Sequence, residues 1–222
     1  MIEENVKKLL SEIPEKNGFG EKVTLVAAVK LQNATDINRA IGAGIRDIGD
    51  NHVQEFKEKY EFITGNPRRH FIGHLQTNKV KYLIGKVDLY HSLDRLALAD
   101  ELSKRSLSAE IISDALLQVN IGDEQSKGGF AFDEALSAYK QIAAMPSIKL
   151  KGLMAMLPFT DDLQLLKRLA AKMRELFERV RDLDGDAEYL SMGMSGDYKL
   201  CLDAGSNVIR IGTAIFGQRN YN

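Results

Sequence analysis

The chain has 222 residues, 44% apolar and 27% charged, with 30 Lys and Arg against 31 Asp and Glu. That balance suits a globular chain long enough for one substantial core, and a net charge of −1 with no long basic run argues against coating nucleic acid. The single cysteine, Cys201, excludes an internal disulfide and a cysteine-rich zinc site and fits a reducing compartment.

The opening MIEENVKKLLSEIP carries Glu3 and Glu4 and no long apolar core. It reads as an amphipathic helix over 2–13, not as a signal peptide, and no later stretch is long enough to cross a bilayer. The cytosol is the expected compartment. Short apolar runs then alternate with amphipathic ones. Strands are expected at 24–29, 46–49, 70–73, 87–91, 115–121, 149–156, 189–193 and 207–211. Between them Ile37, Ala40, Ile41 and Gly44 share one helical face, as do Leu163, Leu166, Ala170, Met173, Phe177 and Val180. Asn33 with Asp36, and Asp94, carry N-cap signals, while Gly185 and Gly205 fall where helices should stop. Eight strands, each followed by a helical pattern, predict an α/β chain: a single (β/α)8 TIM barrel over 1–222 with an extra N-terminal helix and linker in 1–20. A doubly wound open sheet is the competing architecture.

Lys30 closes the run Thr-Leu-Val-Ala-Ala-Val-Lys, and strand alternation puts Thr24, Val26, Ala28 and Lys30 on one face. If that face is the barrel interior, the lysine reaches the C-terminal mouth, where a desolvated, neutral amine attacks an aldehyde. A strand-end lysine in solvent is the plainer alternative. Near the other end, Val208, Arg210 and Gly212 share a face opposite Ile209 and Ile211. A guanidinium in so apolar a strand must be paired, either with a ligand or with a barrel acid such as Asp47 or Asp88. Gly193, Ser195 and Gly196 precede a short helix, and Gly212 and Thr213 follow the last strand. Loops after strands seven and eight commonly bind phosphate on barrels, and small residues let backbone N–H groups approach. A phosphate cradle plus a buried amine suggests a ligand that is both a phosphate ester and an aldehyde.

Other residues are less telling. Asn51 and His74, after the second and third strands, are placed to touch a planar ligand, but Asn51 equally suits an N-cap and His74 a structural histidine. His52, His70 and His91 are too scattered to argue for a metal. Residues 127–130, Lys-Gly-Gly-Phe, read as a lid or a turn. Met154, Met156, Met192 and Met194 read as core filling near strand ends.

Taken together, several strings resemble one family in order and spacing: Leu-Val-Ala-Ala-Val-Lys, Gly-Asp-Asn-His-Val-Gln-Glu, His-Phe-Ile-Gly-His-Leu-Gln-Thr-Asn-Lys, Lys-Gly-Gly-Phe, Ser-Met-Gly-Met-Ser-Gly-Asp and Arg-Ile-Gly-Thr-Ala-Ile-Phe-Gly. They are similar to the YggS/PROSC family, the pyridoxal phosphate homeostasis proteins, over about residues 23–221. The resemblance implies a barrel like the N-terminal domain of alanine racemase. It implies pyridoxal 5′-phosphate (PLP) held as a Schiff base on Lys30. Ser195, Gly196, Gly212 and Thr213 would bind the phosphate, Arg210 would face the pyridine nitrogen, and Asn51 would lie beside the ring. The family often has Ser-Lys-Thr-Lys-Pro at its lysine and Glu-Asn-Tyr after strand two. This chain has Val29-Lys30-Leu31-Gln32-Asn33 and Asp50-Asn51-His52.

The implied function is PLP homeostasis without turnover, with PLP and, as recipients, PLP-dependent apoenzymes as partners; from the chain itself a monomer is the simplest expectation, with no nucleic-acid or membrane partner. An arginine against the ring nitrogen weakens the electron sink that PLP catalysis uses, and racemisation needs a second base that a barrel ending at Asn222 is not expected to supply. A small racemase-like PLP enzyme acting on amino acids is the alternative. A Schiff-base aldolase acting on sugar phosphates is the reading from another ligand class.

Overall fold

A computed structural model describes residues 1–124 and 127–217. Eight strands run parallel in a closed ring: β1 (Thr24–Ala28), β2 (Asp47–Asp50), β3 (Arg68–Phe71), β4 (Leu89–Leu93), β5 (Ser113–Asn120), β7 (Ile148–Ala155), β8 (Tyr189–Ser191) and β9 (Val208–Ile211). Pairing of β1 with β9 and of β4 with β5 leaves no open edge in the ring. The open-sheet alternative is therefore excluded. A two-residue piece, β6 (Phe130–Ala131), adds to β5 alone. Strand ends differ from the sequence expectation by one or two residues.

Alternation sorts the side chains. Ala27, Ile48, Phe71, Tyr90, Leu117, Leu153, Leu190 and Ile209 point outward into apolar clusters beneath the helices. Fully burying each Ile, Leu or Phe among them contributes about 1.5–3 kcal/mol. The opposite parity faces the barrel interior. There Leu89, Leu116 and Met154 form a small apolar cluster. Asp47, His70, His91, Ser191 and Arg210 share that interior and are all buried. So polar a barrel interior must be hydrogen-bonded throughout to be tolerated.

The covering helices are α2 (Ala34–Gly42), α3 (Val53–Lys59), α4 (Leu96–Ser108), α5 (Phe132–Ala143), α6 (Leu163–Leu183), α7 (Tyr198–Asp203) and α8 (Thr213–Phe216). The expected Asn33 cap is present: its side chain accepts from the Asp36 N–H at 2.8 Å. Between β3 and β4 no α-helix forms. A 3₁₀ stretch, Thr77–Tyr82, connects them, and Val80 and Leu83 are buried with the three-residue spacing that a 3₁₀ turn stacks on one side. The N-terminal helix, α1 (Ile2–Glu12), buries Val6 and Leu9 in the cluster that holds Ile41 and Ile215, and Asn5 Nδ2 donates to the Ile215 carbonyl at 3.0 Å. This helix thereby braces α8, whose first residues border the mouth. No helix among the described residues is long and apolar enough to cross a membrane.

Candidate functional site

A cavity of about 580 Å³ opens where the strands end at their C-termini. Ligand cavities commonly hold about 300–1,000 Å³. Its walls come from the strand-to-helix loops: Ala28 at the end of β1, Asn51 after β2, Ile72 after β3, residues 156–161 after β7, residues 194–197 after β8, and Arg210, Gly212 and Thr213 on and after β9. Six of the seven residues singled out from the sequence thus meet in one space. The seventh, Lys30, is not in the wall. It sits two residues beyond Ala28, half-buried, and its ammonium has no hydrogen bond or ion pair among the described residues.

The β8 and β9 loops present unused donors. Asp197 N–H and Tyr198 N–H both bond back to the Met194 carbonyl, and Met194 N–H donates to Asp197 Oδ1 at 2.6 Å. That closes the turn and leaves the Ser195 and Gly196 N–H groups without partners among the described residues. The hydroxyls of Ser195 and Thr213 are likewise unengaged. A β-carbon added at Gly196 would meet nothing within 4 Å, so this glycine faces open space. Gly193 differs: its φ of +105° is a left-handed conformation that an L side chain resists, which lets the chain leave β8 and turn. Backbone N–H groups gathered this way suit a phosphate.

Arg210 lies on the wall, yet its relative exposure is 5%. One terminal nitrogen donates to Ser191 Oγ and the other to the Ala155 carbonyl at 3.0 Å. A guanidinium has five N–H donors, so three remain after these two. Burial pushes its pKa down to about 10, which still leaves it protonated at neutral pH. Neither Asp47 nor Asp88 pairs with it directly. Asp88 Oδ2 accepts the Arg69 N–H at 2.7 Å, whereas Asp47 Oδ1 lies 2.9 Å from His70 Nε2. From there the contacts continue: His70 Nδ1 is 2.9 Å from His91 Nε2, and His91 Nδ1 is 3.0 Å from Ser191 Oγ. No group of residues able to hold a metal ion forms among the described residues, yet two of the scattered histidines meet. The ring closure brings His70 and His91 into direct contact.

Lys30 stands in a tight turn. Gln32 N–H bonds to the Val29 carbonyl at 3.2 Å, and Leu31 takes φ +62°, a strained conformation for a bulky residue. Two side chains hold the turn. Glu55 Oε2 accepts the Leu31 N–H at 2.8 Å, and Lys59 Nζ donates to the Val29 carbonyl at 2.9 Å. Lys59 also sits 2.8 Å from the buried Asp50 carboxylate. Burial raises the pKa of Asp50, opposed by the charge of Lys59.

Other expectations need correction. Asp94 caps no helix; it binds His74 Nδ1 at 2.9 Å and Arg95, and Arg95 is the residue at the N-cap of α4. His74 is accordingly tied to that pair, with its side chain 64% exposed, and does not line the cavity. Asn51 caps nothing either: His52 holds the N-cap position of α3, and the Asn51 side chain has no hydrogen-bond partner among the described residues. In the 127–130 segment, Gln118 Nε2 bonds the Gly128 carbonyl at 2.7 Å and Asn120 Nδ2 the Lys127 carbonyl at 3.1 Å. Sequence reasoning missed Lys127 and the 156–161 segment as wall residues. The signal available was Leu-Pro-Phe-Thr directly after the strand expected at 149–156, a position where barrels place ligand loops; Met156, read as core filling, lines the cavity as well.

A closed parallel barrel with its one-ended cavity at the C-terminal mouth is the layout of a small-molecule-binding (β/α)8 protein. The family model described as alanine racemase, N-terminal domain, matches residues 1–220. The pyridoxal phosphate homeostasis protein of Aquifex aeolicus is 38% identical over 224 residues, 98% of each chain. That of Escherichia coli K12 is 36% identical over 207 residues, covering 91% of this chain and 88% of the relative. Among solved structures, PipY of Synechococcus elongatus with PLP bound aligns with a TM-score of 0.84 at 27% identity, over 98% of this chain and all of that one. An alanine racemase of Clostridium difficile shares the fold at TM-score 0.77 and 14% identity, and this chain covers 59% of it. The chain belongs to the alanine racemase N-terminal-domain family and, within it, to the pyridoxal phosphate homeostasis proteins.

Proposed function

We propose that the chain binds PLP at the barrel mouth and serves the cell's supply of it, without turning over a substrate. The observation that carries this reading is the convergence, in one cavity, of unpaired phosphate-type donors on the β8 and β9 loops with the donor-bearing face of Arg210. The naming of its relatives supports the same ligand. When bound, PLP supplies an electrophilic aldehyde and a ring able to accept electrons.

Each residue has a role in this reading. The Ser195, Gly196, Gly212 and Thr213 groups hold the phosphate. Arg210 donates to the ring nitrogen, and Asn51 lies beside the ring. Lys30 holds the aldehyde carbon as a Schiff base, its nitrogen replacing the aldehyde oxygen, which leaves as water. The half-buried, unpaired ammonium and its four-carbon stem suit that task. Lys127, the wall lysine, suits it less, because its ammonium is held by Glu124 Oε1 at 2.6 Å and the Leu157 carbonyl at 3.1 Å.

The case against turnover is electrostatic. Arg210 cannot accept a hydrogen bond, so a ring nitrogen facing it stays an unprotonated acceptor. The described wall also contains no histidine, tyrosine or cysteine, and of its other basic groups Lys127 is held by Glu124 and Leu157 and Asp197 accepts the Met194 N–H, which leaves Asp161. The test is uptake and retention of PLP on dialysis, followed by absorbance, with common amino acids then added. Retention by the native chain, its loss in Lys30→Ala, and unchanged amino acids are expected. Sustained racemisation would establish the enzyme reading instead.

A further inference from the structure

Asp47 lies at the start of β2, at the end of the barrel opposite the cavity, where the half-exposed Arg68 approaches it at 3.7 Å. Arg210 lies on the cavity wall. Between them runs an unbroken buried file of polar atoms: Asp47 Oδ1, His70 Nε2 and Nδ1, His91 Nε2 and Nδ1, Ser191 Oγ and Arg210. Its two ends fix its direction. Arg210 can only donate, so Ser191 Oγ accepts from it and sends its own hydrogen to His91 Nδ1. His91 must then carry its hydrogen on Nε2 and give it to His70 Nδ1. His70 in turn gives its Nε2 hydrogen to the Asp47 carboxylate, which can only accept.

Every hydrogen in this arrangement has an acceptor. The reverse arrangement does not work as well. A doubly protonated His70 would force His91 to donate to Ser191. The serine would then accept twice, and its own hydrogen would have no acceptor among the described residues. It would also place a second cation inside the barrel with Arg210.

We infer that Asp47, His70, His91 and Ser191 form a one-way hydrogen-bonded chain that positions Arg210 toward the ligand ring. These are positioning residues; none of the four lines the cavity. Ser191 engages one N–H of Arg210 and the Ala155 carbonyl a second, so the guanidinium is held in place with three N–H groups to spare among the described residues. The aim toward a ring rests on the PLP reading. The direction of the chain does not.

Two measurements separate them. Nitrogen-15 imidazole spectra of the ligand-free chain at neutral pH should show His70 and His91 both neutral, with the hydrogen on Nε2 and Nδ1 bare. A hydrogen on Nδ1 of either ring overturns the chain. In PLP-loaded protein, Ser191→Ala should raise the Kd for PLP about tenfold and shift the absorption band of the bound cofactor. Ser191→Thr, which restores the hydroxyl, should return both towards native values. Asp47→Asn, which weakens the terminal acceptor of the chain, should shift the band in the same sense as Ser191→Ala. Native spectra and affinity in both Ser191→Ala and Asp47→Asn overturn the positioning role. If the native chain takes up no PLP, the cavity reading falls, and the imidazole spectra still decide the chain.

Discussion

Gly73 presses so closely on Asn51 that a β-carbon at position 73 would lie 2.0 Å from the Asn51 carbonyl oxygen and 2.6 Å from its Cα. Both are backbone atoms, so no rotamer change relieves the contact. The loop after β3 thus sets where the Asn51 side chain enters the cavity. Gly73→Ala should destabilise the fold by about 1–3 kcal/mol, the usual cost of overpacking, and weaken PLP retention as Asn51 is displaced. Thermal melting would show it as a fall of about 2–4 °C per kcal/mol. A native melting temperature with native retention would remove Gly73 from this role.

Gly196 is the opposite case. Its missing side chain leaves open space and its φ is not left-handed, so Gly196→Ala should leave the melting temperature unchanged or slightly raised. PLP retention should nevertheless drop, because the new methyl group occupies the space reserved for the phosphate. The double substitution Ser195→Ala with Thr213→Ala removes two unengaged donors and should cost about 1.5–3 kcal/mol of binding per lost charged hydrogen bond. Equilibrium dialysis reads both. Full retention in the two variants would contradict the phosphate assignment.

His91 provides a pH signature. Burial above all, with the charges of Arg210 and Arg68 acting in the same sense, holds its pKa well below the ordinary 6.5. The folded chain therefore refuses a proton that the unfolded chain accepts. The stability this group contributes is complete above about pH 6.5 and is lost as pH falls, with a slope approaching ~1.4 kcal/mol per pH unit. Urea unfolding at pH 7.5, 6.5 and 5.5 should show that slope in the native chain and a shallower one in His91→Gln. Equal slopes would mean that His91 takes up its proton as readily in the fold as in the unfolded chain.

Glu21 titrates in a lower window. Burial raises its pKa, but hydrogen bonds from Arg174 and Asn17 and the charges of Arg174 and Arg181 outweigh it and leave the carboxyl below its ordinary 4.5. Arg174 reaches both carboxylate oxygens at 2.9 Å, and Arg181 reaches one at 2.7 Å. This clamp ties the segment before β1 to α6. Its stabilisation is full above pH 4.5 and fades as pH falls through the lowered folded value. Glu21→Gln should cost about 1–3 kcal/mol at pH 7 and progressively less below pH 4.5, by denaturant unfolding. A constant difference across that range would exclude the ion pairs as the cause.

The barrel and much of its mouth were legible because period-2 alternation is local. Val208, Arg210 and Gly212 against Ile209 and Ile211 already state which side of the last strand is interior. The small residues of 193–196 and 212–213 mark their loops without any long-range knowledge. The file from Asp47 to Arg210 was not legible. His70 and His91 stand 21 residues apart, and their contact follows from the register in which Gly49 pairs with His70 and His70 with Leu89. Alternation gives each residue a face but not its neighbour across the ring. The 3₁₀ stretch Thr77–Tyr82 was missed for a related reason: two apolar residues three apart, Val80 and Leu83, suit either helix type until packing selects one. Asp94 looked like a cap because its partners, His74 and Arg95, are brought to it only by the fold.

Borohydride reduction of the PLP-loaded chain, followed by peptide mass spectrometry, tests the central claim most directly. The expected result is a pyridoxyl group on Lys30 alone. A group on Lys127 or any other lysine, or no adduct in a chain that retains PLP, would contradict it.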